Sequence, residues 1–150
     1  MRDAAKKHFI RGRSWARRYA MQALYQWQMA GQDLGIISAQ FLADQDMGKA
    51  DVAYFQELLY QVVQRRDAID ETLKPFLDRS LEQVDPVERA ILRIAGYELA
   101  QRPDVPYRVV INEAVEMAKK YGAEQGHRFI NGVLDKAAQQ LRTQEMRLCL

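Results

Sequence analysis

The sequence predicts an all-α protein: a compact bundle of about seven helices in two packed three-helix-like subdomains. Three observations predict it. Apolar residues recur every three or four positions through most of the chain, and alternating apolar-polar runs are scarce. Gly31, Pro75, Pro103, Pro106 and Gly122 fall between the periodic stretches, where they would stop helices. Hydrophobic residues make up 48% of 150, enough to bury a real core in a chain of this length.

The first helix is predicted from about Arg13 to Met29, with Ala16, Ala20, Ala23, Leu24 and Trp27 on one face and Gly31 as its stop. A basic arm of about residues 1–13 precedes it. A short helix around Ile36 to Ala43 offers Ile37, Phe41 and Leu42, and residues 44–49 read as a loop. Asp51 can cap the next helix, whose stripe is Val52, Phe55, Leu59 and Val62. The stripe runs on through Ile69 and Leu73, and periodicity leaves open whether Arg65-Arg66-Asp67 breaks it. Pro75 ends the pattern and suggests helical subdomains of about 14–78 and 80–142 within one domain.

After a short piece at Ser80 to Val84, Asp85-Pro86-Val87-Glu88 is the best start signal in the chain. Asp85 is the cap, Pro86 the first helical residue, and Glu88 can reach back as in a capping box. That helix carries Ile91, Ile94, Ala95 and Leu99 on one face. From Tyr107 to Tyr121, Ile111, Ala114, Val115 and Ala118 face inward, with Glu116 and Lys120 as an outer pair. The last helix, about Glu124 to Arg142, buries Ile130, Val133, Leu134, Ala137 and Leu141.

Several function classes find no support. No apolar run approaches the roughly 18 residues of a membrane span, and no apolar stretch near the start resembles a secretory signal. Cys149 is the single cysteine and cannot form an internal disulfide, which fits a reducing, cytoplasmic setting. His8 and His127 lie at opposite ends of the chain, so no Cys/His set has metal-ligand spacing and no cofactor is indicated. Asp44, Asp46 and Gly48 resemble part of a calcium loop, but Phe55 stands where the closing glutamate belongs. No nucleophile-base pair, paired carboxylates or phosphate loop suggests an enzyme.

Charge is more informative. Residues 1–18 hold seven Lys and Arg against Asp3 alone, a net +6; the chain totals +2, so the remainder sums to −4. A basic arm on an acidic body suggests a polyanion at the arm and a basic partner elsewhere. Lys6, Lys7 and Arg11 belong to the arm, and Arg13 and Arg17 lie one helical turn apart, able to follow one strand of phosphates. Tyr25 projects opposite the core face of the first helix, as an interface anchor would. Phe129 sits at the edge of its apolar arc beside Gly132 and Lys136: on pattern alone it is either a phenylalanine at the rim of the core or a ring that, with the cation, suits an unpaired RNA base and its phosphate. Glu98 falls inside an apolar arc and reads as a paired structural carboxylate.

Four stretches then resemble a known family in order and spacing: residues 16–28 (ARRYAMQALYQWQ), 88–99 (ERAILRIAGYEL), 109–122 (VVINEAVEMAKKYG) and 129–136 (FINGVLDK). The chain is similar to the NusB transcription antitermination factors over nearly its whole length. The resemblance implies binding to single-stranded boxA RNA of ribosomal RNA leader transcripts together with NusE, a small-subunit ribosomal protein. It further implies a non-catalytic place in a complex with NusA, NusG and RNA polymerase. It assigns Arg13, Arg17 and Phe129 to RNA, and Tyr25, Glu82 and Glu88 to NusE. Two other readings compete: a substrate-binding helical domain like those of RNA cytosine methyltransferases, and a purely protein-binding scaffold.

Overall fold

The structure is a computed structural model that describes residues 2–44 and 46–148. Cys149 lies outside the described residues. Among those residues there are eight α-helices, three short 3-10 turns and no strand. The chain divides into two compact units, Met1–Gln64 and Arg65–Leu150.

The first unit is a three-helix bundle of α1 (Arg2–Ala30), α2 (Leu34–Asp44) and α3 (Val52–Gln64), with a 3-10 turn at Met47–Lys49. Helix α1 begins some eleven residues before the predicted start, so the basic arm is helical. Ala4, Ala5, Lys6 and Lys7 are strong helix formers, and Asp3 in the first turn complements the helix dipole. Gly12 does not interrupt it. Its carbonyl accepts the Asp51 amide at 2.9 Å, which ties α1 to the start of α3. Gly31, at φ +65°, ends α1 as expected, its amide bonded to Trp27 O. Asp51 caps α3 by accepting from Tyr54 N at 3.0 Å. The alanine face of α1 and Leu24 pack with Ile37, Phe41, Phe55, Leu58 and Val62 in the core; Phe41 and Phe55 stack at 5.9 Å. Trp27 is only half-buried, and Tyr19 and Met21 are buried in addition to the predicted face.

The second unit holds α4 (Arg66–Leu73), 3-10 turns at Lys74–Phe76 and Leu81–Gln83, α5 (Pro86–Gln101), α6 (Tyr107–Tyr121), α7 (Gly126–Leu141) and α8 (Thr143–Leu148). The division falls at Gln64 and Arg65 instead of near Pro75. The reason is packing: α4 lies on α5 and α7, with Ile69 and Leu73 over Gly96, where any side chain would crowd them. Arg93, itself buried, locks the same junction with a two-bond clamp on Asp70 at 3.0 and 2.9 Å. Helix α5 is the centre of this unit, buried at every position from Ala90 to Leu99, Glu98 included at 1% exposure. Asp85 caps it through the Val87 and Glu88 amides, with Pro86 in the first turn. Glu88 does not complete a capping box; its carboxylate instead accepts from Ala123 N at 3.2 Å. On α6, Glu116 pairs with Lys119 at 3.5 Å, while Lys120 lies over the Tyr121 ring.

The other end of α5 is closed by a side chain. Arg142 is 6% exposed and donates to the carbonyls of Glu98, Leu99, Arg102 and Val105 at 2.8–3.0 Å, and to Glu145. It thereby satisfies carbonyls that the helix end leaves without partners. Glu145 continues the network by accepting from Tyr107 N at 2.9 Å, which ties α8 to the start of α6.

Candidate nucleic-acid interface

In the first unit, Lys6, Lys7 and Arg11 stand exposed on the opening turns of α1. The next turns add cations laid on rings. The Arg13 guanidinium is 3.8 Å from the Tyr54 ring centroid and 4.7 Å from that of Phe9, and its Nε approaches Asp51 at 3.4 Å. Arg18 and Lys49 both lie over Trp15, at 4.7 and 4.0 Å. A ring face holds a cation in place without cancelling its charge, as for Arg18 and Lys49, whereas Arg13 is also paired with the Asp51 carboxylate. Arg17 differs from expectation. It is 3% exposed, with its guanidinium 5.6 Å from the Tyr54 ring, so it supports the platform from behind and does not face solvent beside Arg13. Helical spacing placed both on one side of α1; the large Tyr54 ring on α3 covers the inner one.

In the second unit, Phe129 is half-buried on α7 as its position at the edge of the apolar arc requires. The Arg79 guanidinium lies 4.4 Å from its ring centroid and also approaches Asp78 at 3.4 Å. Beside the ring, a Cβ at Gly132 would meet nothing within 4 Å, and Lys136 is exposed. Ring, cation and open space therefore coincide, which is what a stacked base and its phosphate need. Sequence reasoning missed Arg79. It sits in the irregular link between two 3-10 turns, where no periodicity reports which way a side chain points.

The residues assigned to a protein partner separate. Tyr25 is 39% exposed on α1, free to anchor an interface. Glu82 is exposed at 77%, within 3.7 Å of Arg89 and 3.8 Å of Arg93. Glu88 is 4% exposed and faces inward: besides holding Ala123 N, its carboxylate lies so close to Gly126 that a Cβ there would come to 2.6 Å. Burial pushes the Glu88 carboxyl above its ordinary value and Asp85 adds to this, while the Ala123 bond and Arg79 oppose it. The tight fit fixes the link between α6 and α7, in which Gln125 takes a left-handed backbone (φ 67°) directly before α7 begins.

Among the described residues, no three His, Cys, Asp or Glu side chains are placed to hold a metal ion. None of the described helices is long and apolar enough to cross a membrane.

Comparison with known proteins gives the family and the fold. The model of the NusB family matches residues 14–139. The transcription antitermination protein NusB of Nitrosococcus oceani is 58% identical over 135 residues, 90% of each chain. The solved NusB of T. maritima superposes with a TM-score of 0.74 at 30% identity, covering 84% of this chain and 89% of that one. A chain in a crystal structure of antitermination factors NusB and NusE with double-stranded RNA superposes with a TM-score of 0.73 at 27% identity, covering 85% of this chain and 96% of that one.

Proposed function

Since the chain belongs to the NusB family, we propose that it works in the cytoplasm as a non-catalytic transcription antitermination factor that binds boxA RNA together with NusE. The carrying observation is the cation set of α1: three exposed cations, Lys6, Lys7 and Arg11, followed by Arg13 held on ring faces. Phosphates neutralised there release counterions, which supplies affinity and position without reading sequence. Phe129, with Arg79 on its ring and Lys136 along the same helix, takes an unpaired base and contributes selectivity. Arg17 acts indirectly, by supporting Tyr54 beneath Arg13.

NusE, as a ribosomal protein, is a basic partner for an acidic body. Tyr25 anchors it and Glu82 offers an exposed carboxylate. Glu88 contributes from inside, by holding the α6–α7 link in shape. The loaded pair then joins NusA, NusG and RNA polymerase. The whole chain acts as one RNA-binding domain.

The test is a filter-binding titration of boxA RNA and a scrambled RNA, each with and without NusE, over a range of salt. The reading expects boxA to be preferred, the preference to grow with NusE, and affinity to fall steeply with salt. Equal binding of both RNAs with and without NusE would overturn it.

A further inference from the structure

A cavity of about 220 Å³ opens beside the basic turns of α1, lined by His8, Phe9, Gly12, Gly48, Lys49 and Asp51. Its lining joins two elements: the second and third turns of α1 and the 3-10 turn at Met47–Lys49, drawn together by the bond between Gly12 O and Asp51 N. Phe9 lines the cavity and is 55% exposed, so its ring is open to a partner from solvent. The ring is not idle. It ends a tier that starts inside the bundle, with Tyr54 buried, Arg13 3.8 Å from the Tyr54 centroid, and Phe9 4.7 Å from Arg13. A guanidinium on a ring orients it for a further planar partner.

We propose that this cavity takes one unpaired nucleobase of the bound RNA, stacked on Phe9 outside the tier. The proposal rests on the RNA-binding reading above and adds a base subsite to it. Two features favour a base over an apolar side chain of a protein. The cavity is smaller than the roughly 300–1,000 Å³ of whole-ligand sites, so it suits a single ring from a longer chain. Lys49 lies in its wall, held over Trp15 at 4.0 Å, and Lys6, Lys7 and Arg11 are exposed on other faces of the same turns of α1. That field attracts the phosphates flanking a base and offers nothing to an uncharged peptide.

The test uses the full-length protein and a fluorescein-labelled single-stranded RNA, with inorganic polyphosphate as a base-free probe. Phe9→Ala is expected to weaken RNA binding about 5- to 100-fold, the range of one lost base stack. It should leave the salt slope unchanged, because no phosphate contact is removed. Phe9→Trp restores the affinity. Polyphosphate binds wild type and Phe9→Ala alike, which separates stacking from a general disturbance of α1. If wild type binds RNA and Phe9→Ala binds it equally, the subsite is wrong and the RNA reading stands. If Phe9→Ala weakens polyphosphate as much as RNA, the ring only supports the cations and the base site is rejected. If wild type binds no RNA, the parent reading fails and the subsite with it.

Discussion

Two pairs of arginines, one from each unit, are used in different ways. In the first, Arg13 and Arg18 lie against rings at 3.8–4.7 Å; Arg13 also meets the Asp51 carboxylate at 3.4 Å, while, among the described residues, the Arg18 cation stands on its ring alone. In the second, Arg93 and Arg142 are buried and donate into oxygens, Arg93 to Asp70 and Arg142 to four carbonyls and Glu145. A ring takes up the flat face of a guanidinium and leaves its charge uncancelled. A fence of oxygens takes up its edge and consumes its donors. The first arrangement makes a surface for anions, and the second makes a joint between helices.

The largest way to break this contrast is at a joint. Arg142→Ala should cost about 3–5 kcal/mol, because three buried carbonyls and a part-buried one lose their donor together. Arg142→Lys should recover little, since three donors on a flexible stem cannot replace the planar fork. Urea denaturation checks both, and wild-type stability in Arg142→Ala would dissolve the distinction. Next comes the surface. Lys6→Ala/Lys7→Ala/Arg11→Ala should change stability by no more than about 0.5 kcal/mol, as exposed substitutions do. It should also lower the slope of log affinity against log salt by about two, at roughly 0.7 per phosphate on single strands. An unaltered slope would show that these cations touch no RNA.

Tyr25→Ala sharpens the contrast on the protein side. It should weaken NusE binding by roughly tenfold or more, about 1.4–2 kcal/mol, and leave RNA affinity of the free protein unchanged. Calorimetry with each ligand separately would expose the error if both moved together. The smallest effect concerns Glu88. Its carboxyl titrates above the ordinary value in the folded protein, so folding favours the protonated form. That contribution is present at low pH and is lost as pH rises from the ordinary carboxylate range through the raised value. Glu88→Gln cannot ionise, and its oxygen can still accept from Ala123 N. The stability difference should therefore move in the variant's favour between pH 4 and pH 7. A gap independent of pH would remove Glu88 as the titrating group.

Sequence alone conveyed most of the helices because their signals are local: the caps Asp51 and Asp85, the stop at Gly31, and stripes such as Ile130, Val133 and Leu134. It failed where the deciding partner is distant in the chain. The stripe through Ile69 and Leu73 looks continuous with α3, yet Gly96 makes room for it in the second unit. Arg17 reads as a surface cation until Tyr54 is placed over it. Glu88 reads as a cap partner, and the turn at Ala123, 35 residues on, claims it instead. In the candidate interface, Lys6, Lys7, Arg11, Tyr25, Phe129 and Lys136 were legible from charge and helical phase, and the structure leaves them at the surface or its edge. Arg79, Lys49 and Phe9 were not, since short turns and ring contacts across elements leave no periodic mark.

The Arg142 cluster also bears on the order of events during synthesis. Everything the first unit needs for closure has left the peptidyl-transfer site once Gln64 is joined. The carbonyls at the tail of α5 wait for a residue 40 or more positions further on. A nascent chain can thus finish its cation-bearing first helix early and keep its second half open until translation is nearly done. A truncation a few residues short of position 143 would strand that half unfinished while sparing the arm.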